Sequence, residues 1–119
     1  MSRAGLIYKI LSEQLWREAR ERGNLVGAPV DLADGFIHFS TAAQVRETAA
    51  RHFRGETGLV LLGVDPESLG RALKWEPSRG GDLFPHLYAP LSVASVVSER
   101  PLDLGPDGVA ILPEAENPA

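Results

Sequence analysis

The chain has 119 residues, of which 44% are hydrophobic, with no cysteine and a formal net charge of −4. This length fits one domain with its own core, and the lack of cysteine excludes disulfides, thiolate metal sites and cysteine nucleophiles. Residues 1–100 carry 12 acidic and 12 basic side chains, so the surplus comes from Asp103, Asp107, Glu114 and Glu116, and a neutral body argues against extensive nucleic-acid contact.

Leu6–Leu11 reads as a first strand, with Tyr8 and Lys9 pointing to opposite sides. Ser12 is placed to cap a helix from Glu13 to Arg22 that Gly23 closes, with Leu15 and Ala19 on its apolar stripe beside Trp16. Asn24–Val30 reads as loop or weak strand. Asp34–Thr41, with the sequence DGFIHFST, predicts a tight turn, a short strand and the cap of a second helix. Alternation sends Ile37 and Phe39 one way and Phe36, His38 and Ser40 the other. Thr41 and Gln44 have capping-box spacing, and the helix runs from Ala42 to about Phe53, with a stripe at Ala42, Val45, Ala49 and Phe53.

Leu59–Val64 is a continuous apolar run and reads as a strand buried on both faces. Asp65 and Pro66 end it and start a helical turn through Leu69. Leu73–Glu76 reads as a short strand, 77–82 as a mobile loop, and Phe84–Tyr88 as a strand that puts His86 and Tyr88 on one face, flanked by prolines as at a sheet edge. Ser92–Glu99 is the expected last strand. Thus 1–100 reads as a single α+β domain with two main helices, and 101–119 as an acidic, proline-rich tail in which Val109–Leu112 is the one stretch able to dock as an edge. Arg3 and Lys9 interrupt the N-terminus where a secretory leader would be apolar, and no run reaches membrane-spanning length, so a cytoplasmic protein without membrane contact is expected.

Three groups of residues carry chemistry. His38, Ser40 and Thr41 lie beside a helix N-terminus, where unpaired N–H groups and the dipole favour an anion; capping alone also accounts for Thr41. His86 and Tyr88 can stack on and orient a flat ligand. Glu76 can hold a sugar hydroxyl or stabilise developing positive charge, and Arg79, in a glycine-flanked loop, can clamp a phosphate or simply form a surface ion pair. No metal is expected, since His38, His52 and His86 lack metal-ligand spacing, and His52 is given no role. No serine elbow, P-loop or dinucleotide fingerprint is present.

The motifs DGFIHFST (34–41), LKWE (73–76) and FPHLYAPL (84–91), with IYKI at 7–10, resemble the domain-of-unknown-function family 952 over about residues 6–100. The resemblance implies a compact ADP-ribosyltransferase-like split sheet that holds NAD in a cleft. It implies His38 at the ribose or phosphate, Tyr88 as the stacking ring, Glu76 as the glutamate of the oxocarbenium-like transition state and His86 as support. Lys9 or Tyr8 stands where that fold usually has a histidine or arginine on its first strand. No cofactor is implied by the residues themselves; NAD enters as a substrate, and ADP-ribosyl transfer or hydrolysis as the activity. A non-catalytic module on the same fold, and a hydrolase of another phosphorylated metabolite with His38 or His86 as base, remain alternatives. Acceptor and oligomeric state are left open.

Overall fold

The structure, a computed structural model, describes residues 5–112. β1 (Ile7–Ser12) leads into α1 (Glu13–Arg22), whose N-terminus is capped by the Ser12 hydroxyl accepting from the Leu15 N–H. β2 (Asn24–Leu25) and α2 (Pro29–Asp34) follow, then β3 (Ile37–His38), β4 (Ser40–Thr41) and α3 (Ala42–His52). β5 (Leu59–Val64) ends in a 3₁₀ segment, Pro66–Ala72. β6 (Leu73–Pro77), β7 (Leu83–Leu87), β8 (Leu91–Ser92), β9 (Val96–Leu104) and β10 (Ala110–Ile111) complete the described chain.

The fold is mixed α+β, and the strand pairings among the described residues are antiparallel. One sheet has the order β10-β9-β5-β1-β4, a second β3-β7-β6, and β2 pairs β8. β5 is central to the first sheet and buried along its whole length, which explains its unbroken apolar run. Its Gly63 is tight as well: an added Cβ would collide with Ser98 Oγ and press on Leu6. Ile7 and Leu11 face a core with Trp16, Leu25, Phe39 and Leu87; Tyr8 and Ile10 face a second core with Val45, Ala49 and Leu102. Lys9 shares the Ile7–Leu11 side by alternation, so β1 carries one ammonium into a core face.

Several expectations change. The weak segment before Asp34 contains a third helix, α2, so the described residues hold three α-helices rather than two main ones. The strand expected at 36–40 is split at Phe39, whose N–H donates to Pro85 O while β3 and β4 join different sheets. β7 is the middle strand of its sheet, not an edge; Pro85 fits because β3 pairs only opposite Leu87 and His86, so no ladder donor is needed at Pro85. The expected last strand is interrupted by a 3₁₀ turn at Val93–Ser95. Residues 101–104 continue β9, and Ala110 and Ile111 pair with it as an edge, with Leu112 buried behind them. Residues 113–119 lie outside the described part.

Candidate functional site

Lys9 and Asp31 form a buried ion pair under His38. Lys9 Nζ lies 3.0 Å from Asp31 Oδ2 and donates to His38 O at 3.1 Å. Asp31 Oδ2 accepts from Ala28 N–H at 2.8 Å, and Oδ1 accepts from His38 N–H at 3.1 Å and faces His38 Nδ1 at 2.6 Å. On the other side of the ring, Nε2 lies 2.9 Å from Asp34 Oδ2. A carboxylate stands at each ring nitrogen; the doubly protonated ring donates to both, the neutral ring to one. Burial opposes the Asp31 charge, but the His38 hydrogen bond, the Lys9 charge and the Ala28 N–H outweigh it and hold the pKa at about 2. Burial pushes the Lys9 amine below its usual value, and Asp31 counteracts this.

A second cluster sits on the three-stranded sheet. The register pairs His38 with His86 and His86 with Lys74, and Glu76 lies two residues along β6 from Lys74. Glu76 Oε1 lies 2.8 Å from His86 Nδ1 and accepts from the Tyr88 hydroxyl at 2.7 Å. The His86 bond, then the Tyr88 bond, hold the Glu76 carboxyl below the usual range, and the same contact raises the Tyr88 phenol. Phe36 stacks on His86 at 4.1 Å between centroids and also touches His38 and Tyr88. The His38 and His86 rings meet edge-on at 5.7 Å. The two clusters are therefore contiguous through His38, Phe36 and His86.

A cavity of about 410 Å³ opens beside His38. Its lining includes Ala28, Pro29 and Val30, then Val45 and Phe53, and β1 from Tyr8 to Ser12. β4 pairs β1 only at Ile7 and Tyr8, so no strand covers the rest of this edge among the described residues. The Glu13 N–H bonds Gly58 O in line with the β1–β5 ladder, and alternation then turns the backbone N–H and C=O of Ile10 toward the cavity.

Of the residues singled out from sequence, His38, His86, Tyr88 and Glu76 are brought together. Ser40 turns instead to Thr48, 2.9 Å away, and lines the cavity with His38. Thr41 is spent on α3: its hydroxyl accepts from Gln44 N–H while Gln44 Oε1 accepts from Thr41 N–H. The His38 ring nitrogens face the Asp31 and Asp34 carboxylates. The Arg79 side chain lies outside the described residues. Asp31 and Asp34 are site members that sequence reasoning gives no role, while Lys9 enters it only as a first-strand position and Phe36 only as a neighbour of His38 on one face. Among the described residues no acid, histidine or cysteine cluster has the makings of a metal site, and no helix is long and apolar enough to cross a membrane.

A family model described as "Protein of unknown function (DUF952)" matches residues 10–99. The crystal structure of protein CC0527 from Caulobacter crescentus is 56% identical, covers 93% of this chain and 97% of its own, and superposes with a TM-score of 0.91. The solution structure of CC0527 is 59% identical over 87% of this chain and 90% of its own, with a TM-score of 0.80. No curated protein matches the chain.

Proposed function

The chain belongs to the DUF952 family, and on that premise we propose that it binds NAD or a related ADP-ribose nucleotide in the cleft beside His38, within an ADP-ribosyltransferase-like split sheet, and cleaves or transfers at the ribose. The observation that carries this reading is the Glu76 carboxylate. It is kept ionised by the His86 and Tyr88 bonds to Oε1, and it adjoins the Phe36–His86 stack. A fixed negative charge beside an aromatic surface suits a ribosyl cation that develops as a flat base departs.

In the hydrolytic case the ribose C1′–N bond breaks, its electron pair leaves with neutral nicotinamide, and water adds to C1′ with loss of one proton. Glu76 stabilises the charge at C1′, Tyr88 and His86 hold Glu76, and His38 meets the ribose. Ser40 and the open edge at Ile10 offer hydrogen-bonding groups to a flat carboxamide in the cavity. The protein acts on a small cytoplasmic ligand, without a membrane or extended nucleic acid.

The test is a nuclear magnetic resonance titration with NAD, ADP-ribose and nicotinamide, with nicotinamide release followed by chromatography. Expected are ligand-specific shifts at 36–41 and 84–88, and at least 100-fold slower release in Glu76→Gln with binding retained. An absence of shifts at millimolar ligand overturns the reading. Shifts without release point to a binding module, the second reading. It is favoured by Lys9, whose amine is already engaged by Asp31 and His38 O.

A further inference from the structure

α2 wears its apolar side chains on the outside. Val30 and Leu32 are 57% and 61% exposed, whereas Asp31 between them is the buried residue of the helix. An amphipathic surface helix has the opposite arrangement. Hydrophobic burial therefore contributes little to holding α2 on the body; side-chain polar contacts do this. Asp31 bonds Lys9, the His38 N–H and the His38 ring, and Asp34 bonds the far side of that ring. Such contacts are directional and exchangeable with water or a ligand, unlike interdigitated core packing.

The segment is bounded by glycines. Gly27 (φ +133°) and Gly35 (φ +88°) both occupy the positive-φ region, where side-chain-bearing residues are strained. Gly27 also approaches closely, since a Cβ there would lie 2.7 Å from Asp31 Cβ. Between these two points, Ala28, Pro29 and Val30 wall the 410 Å³ cavity.

We infer that residues 27–35 form a gate over the cavity, pivoting at Gly27 and Gly35 and latched shut by Asp31 and Asp34 on Lys9 and His38. Closing the gate and orienting His38 are one event, because the carboxylates that hold the helix down also fix both ring nitrogens. A ligand that reaches His38 from the cavity competes for the latch, so occupancy and gate position are coupled. The gate stands independently of which ligand the cavity takes.

Two measurements on the full chain test it. The first is amide hydrogen exchange at Leu32 and Gly35, whose N–H groups bond Ala28 O and Asp31 O, compared with Leu61 and Leu62 in β5. The α2 amides are expected to exchange at least 100-fold faster than those of β5. Asp34→Asn, at a half-exposed site, is expected to accelerate them about tenfold further and to leave β5 unchanged. The second uses a lone thiol, since the chain has no cysteine: Val45→Cys places it in the lining of the cavity. Its labelling by a neutral thiol reagent is expected to speed up about tenfold when Asp34→Asn is added. Exchange of α2 in step with β5, or labelling indifferent to Asp34→Asn, overturns the gate. Faster α2 exchange with unchanged labelling also overturns it, because the helix then frays without opening the cavity.

Discussion

Removing Asp31 tests the electrostatic reasoning most severely. Asp31→Ala leaves the Lys9 ammonium buried without a counterion and orphans the N–H groups of Ala28 and His38. Breaking a buried pair in this way costs about 3–5 kcal/mol, a large part of the roughly 5–15 kcal/mol that holds a domain folded. Lys9→Met costs less, because Asp31 keeps the His38 ring and two amides as donors. In Lys9→Met/Asp31→Ala the stranded charge is gone, so the double variant is expected to lose less than the sum of the singles by about 1.5–3 kcal/mol. Urea unfolding of the four proteins closes the cycle. The acid limb gives a second reading: folding lowers the Asp31 pKa from 3.8 to about 2, so its contribution, about 2 kcal/mol, is present above the unfolded value and disappears as pH falls through the folded one. Asp31→Ala should flatten stability between roughly pH 5 and pH 2. Additive single effects, or an acid limb that survives the substitution, would refute the buried-pair account.

Two further predictions separate structural from ligand-facing groups. Thr41→Ala removes the cap of α3 and should cost about 1 kcal/mol in urea unfolding while leaving the His38 ring resonances in place; a shifted His38 would show that Thr41 belongs to the site. Tyr88→Phe removes one of the two donors on Glu76 Oε1. The Glu76 carboxyl, followed by carbon-detected titration, should move up toward the ordinary range yet stay below it because His86 remains; a downward or absent shift would contradict the arrangement.

Much of the scaffold is legible because its local signals agree with its tertiary role. Ser12 and Thr41 cap the helices that their spacing announces, and the apolar run 59–64 is the strand buried by β1 and β9. α2 escapes notice because its pattern is inverted: periodicity looks for apolar residues facing inward, and here an acid faces inward for the sake of a lysine 22 positions away. The start of β9 falls within the expected strand Ser92–Glu99, but its continuation to Leu104 is hidden because Arg100 and Pro101 suit an exposed strand as well as a tail. In the site, His38, His86, Tyr88 and Glu76 show as polar residues at strand spacing, whereas Lys9 and Asp31 acquire meaning only when paired. One signal was available: Lys9 alternates with Ile7 and Leu11, so a charged group had to enter the core with a partner.

The crossover at Phe39 explains why the candidate chemistry gathers where it does. His38 belongs to the three-stranded sheet and Ser40 to the five-stranded one, with the buried Phe39 ring anchoring the single residue between them. Two sheets joined by one residue cannot separate there, yet β4 begins only at Ser40, opposite Tyr8, and leaves the β1 edge uncovered beyond it. The uncovered β1 edge therefore starts near His38, and Ala28 at the N-cap of α2, with Pro29 and Val30, lines the cavity there. A buried lysine on β1, a carboxylate on α2 and an imidazole on β3 meet there, so each of these three elements contributes one charged or ionisable group. Displacing α2 takes the shared carboxylate away from both Lys9 and the His38 ring, which is why the position of α2, the charge of Lys9 and the orientation of His38 should change together.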